Sequence, residues 1–442
     1  MTSLTSAHST ALRPVPVAHP RAGLRFIGTK PPRRDALATV QVAILIFMIL
    51  SQAGLAGERQ SEYIHSSKQV LGFIDSEFRD RDSGGYYSNP YGKPVKLSSD
   101  QTLLVIANLE VYNLTGDKKS LADALSLLDY LSACQSPEGG CYRAAAQSGP
   151  IHIDDQAAMI RCYVQACRNL RQDDFRRELR RAIEFLLDRL CVQEEEGISV
   201  RSWFDPANGT WERSQLPSEY FDAAAALLEA YKIDRNETYL RTAKSLLRES
   251  EDFWDRNNFG YSHSAEDDTR LARDHAKAVL AYLTAFDVTR RKDYLQRASD
   301  VMFYMVTRMA DKVSKTFYEG VSRTGEVLPS GRRYTLDHLM MAHNYFYAYT
   351  ITLEEKYLRQ GRSLLDSILA KAYDRSVGSF TDQVRGGVMA DLRTQAYGSY
   401  VLAEAYRLIR KGPSPVVTVV VLGVLVVLIG LVGYLFKRSW PY

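Results

Sequence analysis

Metal-ligand patterns are missing from this chain. Its eight histidines form neither an HExxH nor an HxH motif, and its five cysteines contain no CxxC. No metal site is therefore indicated, and nothing in the sequence asks for a cofactor. Tryptophan is scarce at four residues, whereas tyrosine reaches 27, many of them in segments that read as loops. An excess of one charge is also lacking. A net charge of +4 over 442 residues, without a basic stripe carrying interleaved aromatics, excludes nucleic acid as the main partner.

Long apolar runs are confined to the two ends. Val416 to Phe436 carries no charge and follows Pro413 and Pro415. At about 1.5 Å per residue it is long enough to cross a bilayer core of about 30 Å, so a transmembrane helix over 416–436 is expected, with the lipid bilayer as a partner. Lys437 and Arg438 follow it, which places 437–442 as a cytoplasmic tail and the rest of the chain on the extracytoplasmic face of a cell membrane. At the other end, Arg33 and Arg34 precede an apolar stretch from Ala36 to Leu50, with small residues up to Gly57. Residues 36–57 read either as a signal peptide cleaved before Gly57 or as an uncleaved signal anchor. Residues 1–35, rich in Pro and Arg, carry no pattern of a packed element. Three sequons, at Asn113, Asn208 and Asn236, suit that side of a membrane. Cys134, Cys141 and Cys191 fall on one rim, where one disulfide is expected, with Cys134–Cys191 the first candidate.

Between the ends a unit repeats. An acid opens a small-residue-rich helix at Asp100, Asp155, Asp222, Asp274, Asp337 and Asp391. After each of the first five acids a second helix begins, as in Tyr239-Leu240-x-x-Ala243, Tyr294-Leu295-x-x-Ala298 and Tyr357-Leu358-x-x-Gly361. Such a period marks a repeat architecture whose units cannot bury their apolar faces alone. A helix over about residues 60–79 precedes the first acid-led helix, and the sixth acid-led helix, ending near Arg410, has no partner after it. Twelve helices result, and the leftover first and last complement each other. The expected fold is all-α, an (α/α)6 barrel over 58–412, in preference to an open solenoid.

Connections after the outer helices are the longer ones and carry Gly-aromatic turns, such as Gly84-Gly85-Tyr86 and Gly260-Tyr261. They read as short β-hairpins on one rim, where a binding site is expected. Asp is a preferred helix N-cap, so each opening acid has a structural reading beside a chemical one. Glu219 and Asp222, three apart, form a carboxylate pair suited to general acid and base work. Arg270, Arg273, Asp274 and Lys277 share a face that suits an anionic group, or a charge network. His275 and His338 each follow an opening acid, and His343 reads as a core histidine.

These Asp-Gln and Asp-His openings, the Tyr-Leu-x-x-Ala starts and the Gly-aromatic turns make the chain resemble the six-hairpin α/α-toroid group over roughly residues 58–412. That group includes N-acylglucosamine 2-epimerases, thioredoxin-linked toroids and unsaturated glucuronyl hydrolases. The resemblance implies a carbohydrate partner and places Asp155, Asp222 and Asp274 as acid/base carboxylates, with His275 and His338 as proton-transfer groups. Glu219 and Asp337 complete the catalytic candidates. Tyr86, Tyr142, Trp203, Trp211, Tyr261, Arg273, Tyr318 and Phe380 are the candidates for holding a sugar. The expected function is a membrane-anchored glycoside hydrolase. A sugar epimerase or lyase and a non-catalytic glycan-binding or scaffolding toroid are the alternatives. An isoprenoid-processing toroid is disfavoured by the absence of a DxDD segment.

Overall fold

The computed structural model describes residues 61–144, 148–170, 173–195 and 197–410. The apolar runs 36–50 and 416–436, and with them the expected signal or anchor and membrane helix, lie outside these residues. Among the described residues no helix is long and apolar enough to cross a membrane.

Twelve helices are described, with residues 61–77 forming α1. Six inner helices follow at even intervals: α2 (Ser98–Thr115), α4 (Ile153–Leu170), α6 (Pro217–Asp234), α8 (Ala272–Thr289), α10 (Thr335–Thr352) and α12 (Leu392–Arg410). The outer helices are α1, α3 (Lys118–Ala133), α5 (Asp173–Phe185), α7 (Glu237–Glu249), α9 (Lys292–Tyr304) and α11 (Glu355–Ala372). Each inner helix packs on the next, and α12 packs on α2. The ring is closed. Ser67 on α1 bonds Ser399 on α12 at 2.8 Å, so the first and last helices pair as their complementary leftovers require.

Inner and outer helices differ as their surroundings demand. Inner helices are buried almost all round, which suits small residues such as Ala223-Ala224-Ala225-Ala226 on α6. Outer helices bury one stripe, as on α7 at Tyr239, Leu240, Ala243, Leu246 and Leu247, and turn charge to solvent. Tight turns close each hairpin at the end opposite the rim. Gly116, Arg235, Arg290 and Leu353 all take positive φ there, each returning its N–H to a carbonyl of the last helical turn.

The rim carries the strands. A four-stranded sheet is built around β3 (Gly197–Phe204), which pairs with β1 (Ile151–His152), β2 (Cys191–Glu194) and β4 (Trp211–Arg213). Two small strand pairs complete it, β5 (Arg270–Leu271) with β6 (Gly320–Val321) and the hairpin of β7 (Tyr373–Asp374) with β8 (Ser379–Phe380). The expected disulfide is not formed. Cys191 is drawn into the ladder opposite Val200, and burial pushes its thiol up to about 12.

Candidate functional site

The six inner helices start in register, and that register decides what each opening residue does. Counting from the first residue, the third position holds Asp100, Asp155, Glu219, Asp274, Asp337 and Thr394. Two sequence assignments therefore shift. Glu219, not Asp222, occupies the acid position of α6. Asp391 lies outside α12 and caps it, accepting the Thr394 N–H at 2.9 Å. The other acids are not N-caps, because they stand inside their helices.

Third-position acids point sideways and tie neighbouring elements together. Asp100 accepts from Arg393 Nε at 2.8 Å, Asp155 from the Ser99 N–H at 3.1 Å and Asp337 from Arg273 Nε at 3.1 Å. Asp274 pairs with His263 at 2.8 Å, and Glu219 accepts from Ser202 Oγ at 2.7 Å. All but Glu219 are under 5% exposed, so most of these candidates lie behind the lumen wall.

The fourth position is a second tie. Gln101, Gln156 and Gln395 accept the N–H groups of Tyr86, Cys141 and Phe380 on the rim turns, at 2.7–2.9 Å. His275 and His338 do the same work with Nε2, accepting from Tyr261 at 3.0 Å and Phe317 at 2.7 Å. Their Nδ1 atoms bond the carbonyls of Leu271 and Tyr334, each at 2.7 Å. Burial holds both imidazoles neutral, down to about 4. Both nitrogens of each histidine are occupied, which leaves none for the expected proton transfer. The turn fits the ring closely: Gly260 has φ +81°, and a Cβ there would lie 2.9 Å from His275 Nε2.

The same geometry relocates the aromatic candidates. Tyr86, Tyr142, Tyr261 and Phe380 are buried beneath the turns and form part of the core, as the tethered turn backbones require. Tyr318 stacks under Arg333. Arg270 is also buried, on β5, where it bonds Ser262, Asp268 and Asp255 and so joins rim loops instead of facing a ligand. Trp203 and Trp211 do reach the rim surface, on β3 and β4, with Trp203 bonded to Glu212 at 2.8 Å and Trp211 under Arg201.

What faces the lumen is set by the second and sixth positions. A cavity of about 90 Å³ at this mouth is lined by Ser99, Asp154, Arg273 and Arg393 from the second position, and by Asp222 and Lys277 from the sixth. Of the catalytic candidates, only Asp222 lies here, bonded to Lys277 Nζ at 2.5 Å. Burial pushes Asp222 up against the pull of Lys277. Lys277 itself is pushed down by burial, but Asp222 and Asp154 more than compensate and leave it raised.

Asp154 is the residue that the sequence reading passed over. It stands beside Asp155 at the start of α4, and the two are driven apart. Burial alone would raise Asp154, yet Lys277, Arg143 and Arg393 hold it below the usual carboxylate range. Asp155 is pushed up to about 7, first by burial and then by the charge on Asp154. One Asp155 oxygen has no hydrogen-bond partner and lies 3.9 Å from Arg143. Near pH 7 Asp155 is therefore about half protonated beside an ionised Asp154. The signal lay in the repeat, since only α4 has carboxylates at both its second and third positions. Among the described residues no cluster of metal-ligating side chains forms.

No family model matches this chain, and no curated protein matches it. Solved structures do. A D-mannose isomerase superposes with a TM-score of 0.66 at 15% identity, over 79% of this chain and 97% of its own. A GH76 α-mannanase of Bacteroides thetaiotaomicron gives 0.65 at 12%, over 80% and 99%. A cellobiose 2-epimerase from Bacillus thermoamylovorans gives 0.64 at 14%, over 78% and 99%. At these identities the likeness establishes one thing: residues 61–410 are similar in fold to the (α/α)6 toroids of sugar-acting enzymes.

Proposed function

We propose that this protein is a carbohydrate-active enzyme, and specifically a glycoside hydrolase working from the Asp154–Asp155 pair. The observation that carries this reading is the separation of two adjacent carboxyl groups at the start of α4, Asp154 facing the cavity and held ionised, Asp155 behind it and pushed up to about 7. Asp155 stands behind Asp154, outside the cavity lining, so its unpartnered oxygen must turn toward the cavity to give its proton to the leaving glycosidic oxygen as the C–O bond breaks. Asp154 takes a proton from the water whose hydroxyl joins the anomeric carbon, or attacks that carbon itself before water completes the exchange. Arg273, Arg393 and Lys277 supply hydroxyl-binding donors, and Trp203 and Trp211 give the rim two indole faces for sugar rings. The sugar specificities in the names of the structural neighbours belong to those proteins, but all of them act on sugars, which supports the substrate class. Epimerisation is the weaker reading, because His275 and His338 are occupied by backbone. We place the toroid outside the cytoplasm, tethered through 416–436.

The test is sugar release by the full-length protein on neutral, amino and uronic oligosaccharides. Release is expected from wild type and from neither Asp154→Asn nor Asp155→Asn, with folding checked in each. Saturable binding without release by wild type would select the non-catalytic glycan-binding reading. Inversion of a sugar centre without release would select the epimerase.

A further inference from the structure

The lumen has a second mouth. At the C-terminal ends of the inner helices lies a cavity of about 460 Å³, within the range of small-molecule sites and several times larger than the cavity beside Asp154. Leu103, Arg161 and Tyr397 line both cavities and form a septum between them. Asn113, Arg168 and Thr350 stand exposed around the second opening.

Its wall is polar and aromatic, and all its charges except the exposed Arg168 are already paired. Arg161 Nε lies 3.3 Å from Glu229, Arg407 Nε 3.4 Å from Glu110, and Lys232 Nζ 2.5 Å from Asp287. The charge contacts still leave hydrogen-bonding capacity. Glu110 Oε1, Arg161 Nε and Arg407 Nε are buried without a hydrogen-bond partner, and such groups are costly to leave unmade. His343 is buried, as its stripe suggests, and also borders this cavity. Its Nδ1 donates to Glu404 at 2.6 Å, which turns Nε2 away from that partner. No hydrogen bond among the described residues occupies that atom. Tyr347, Tyr397 and Tyr400 surround the imidazole, with ring centroids 5.3–6.2 Å away.

We infer that this second mouth is a binding site for a neutral sugar unit, distinct from the hydrolytic centre. Matched charges disfavour an ion, which would have to break a pair to enter. Unbonded donors and acceptors beside the half-buried rings of Tyr347 and Tyr400 suit a ligand with many hydroxyls and an apolar ring face. The site stands independently of the hydrolase reading, since it shares no carboxyl group with it.

The test is calorimetric titration of the full-length Asp154→Asn protein, in which substrate is not consumed, with D-mannose, D-glucose and cellobiose. His343→Gln and Tyr400→Ala, each added to that background, are expected to weaken binding of at least one probe by about tenfold or more. Tyr400→Phe, which keeps the ring, is expected to bind like the parent, and this separates loss of a face from loss of fold. In the Asp154-intact protein, His343→Gln should leave sugar release unchanged. Unaltered binding in both His343→Gln and Tyr400→Ala overturns the site, as does no saturable binding of any probe. Binding of glucuronate in preference to all three neutral probes overturns the ligand class. Loss of sugar release on Asp154→Asn in wild type is a separate result, so the two readings fail separately.

Discussion

The two mouths of the lumen are built by the same six helices and have opposite chemistry. At the first, helix N-termini converge, and their partial positive charge joins Arg273, Lys277 and Arg393 around an ionised Asp154. At the second, helix C-termini converge, and Arg161, Arg168 and Arg407 offset both that negative end and the carboxylates Glu110, Glu229 and Glu404. Only the first places two carboxyl groups side by side with their affinities for a proton driven apart. The comparison teaches that a depression ringed by charge is not enough for acid–base work. The second mouth is larger, yet all its charges except the exposed Arg168 are held in ion pairs, which makes it a surface for holding a ligand.

The comparison can be broken at several points. The largest effect is expected at Asp154→Asn, which should lower sugar release by about 10²–10⁴-fold, against no change for His343→Gln at the other mouth. Equal losses at both would erase the distinction.

Asp155→Asn should lower release to a similar degree while changing stability in the opposite sense. The folded Asp155 titrates at about 7, above the unfolded value of about 3.9. Its contribution to stability is therefore fully present below about pH 4 and is lost as pH rises through about 7. Asn removes that dependence and keeps an oxygen for the Ser99 N–H. The variant should melt higher than wild type at pH 8, with the gap closing toward pH 5. A gap that widens on acidification would contradict the shift.

Histidine replacements sharpen the division between wall and site. His275→Ala leaves the Tyr261 N–H without its partner and should cost about 1–3 kcal/mol. His275→Gln restores the amide acceptor used by Gln101, Gln156 and Gln395, and should recover most of that loss by chemical denaturation. A large loss of activity in folded His275→Gln would return the imidazole to the chemistry. The smallest effect is expected from Asp391→Ala, which removes the α12 cap and should cost about 1 kcal/mol.

Much of the fold was legible in the sequence, because its signals are periodic and redundant. Six acid-led helices, five second-helix starts (three of them Tyr-Leu) and unpaired helices at either end leave little besides a closed ring. The site was less legible. An acid at each helix start is visible, but whether it faces the lumen depends on register. A shift of one residue turns a side chain by about 100°, so Asp155 faces a neighbouring helix and Asp154 the cavity. The α6 register was misplaced for a related reason, since Glu219 and Asp222 both fit the pattern until the helix start at Pro217 is fixed. Glycine-aromatic turns announced the rim hairpins correctly. Their aromatic rings were assigned to substrate because sequence does not reveal that Gln and His tether the turn backbone and press the ring inward. His343 was read from its apolar stripe, which does not show the cavity at the far end.

The pH dependence of sugar release, compared between wild type and Asp155→Asn, tests the central claim most directly. The Asp154–Asp155 account predicts that wild-type activity falls with a single deprotonation near pH 7, and that the residual activity of the variant lacks this limb. An alkaline limb that persists unchanged in Asp155→Asn would contradict it.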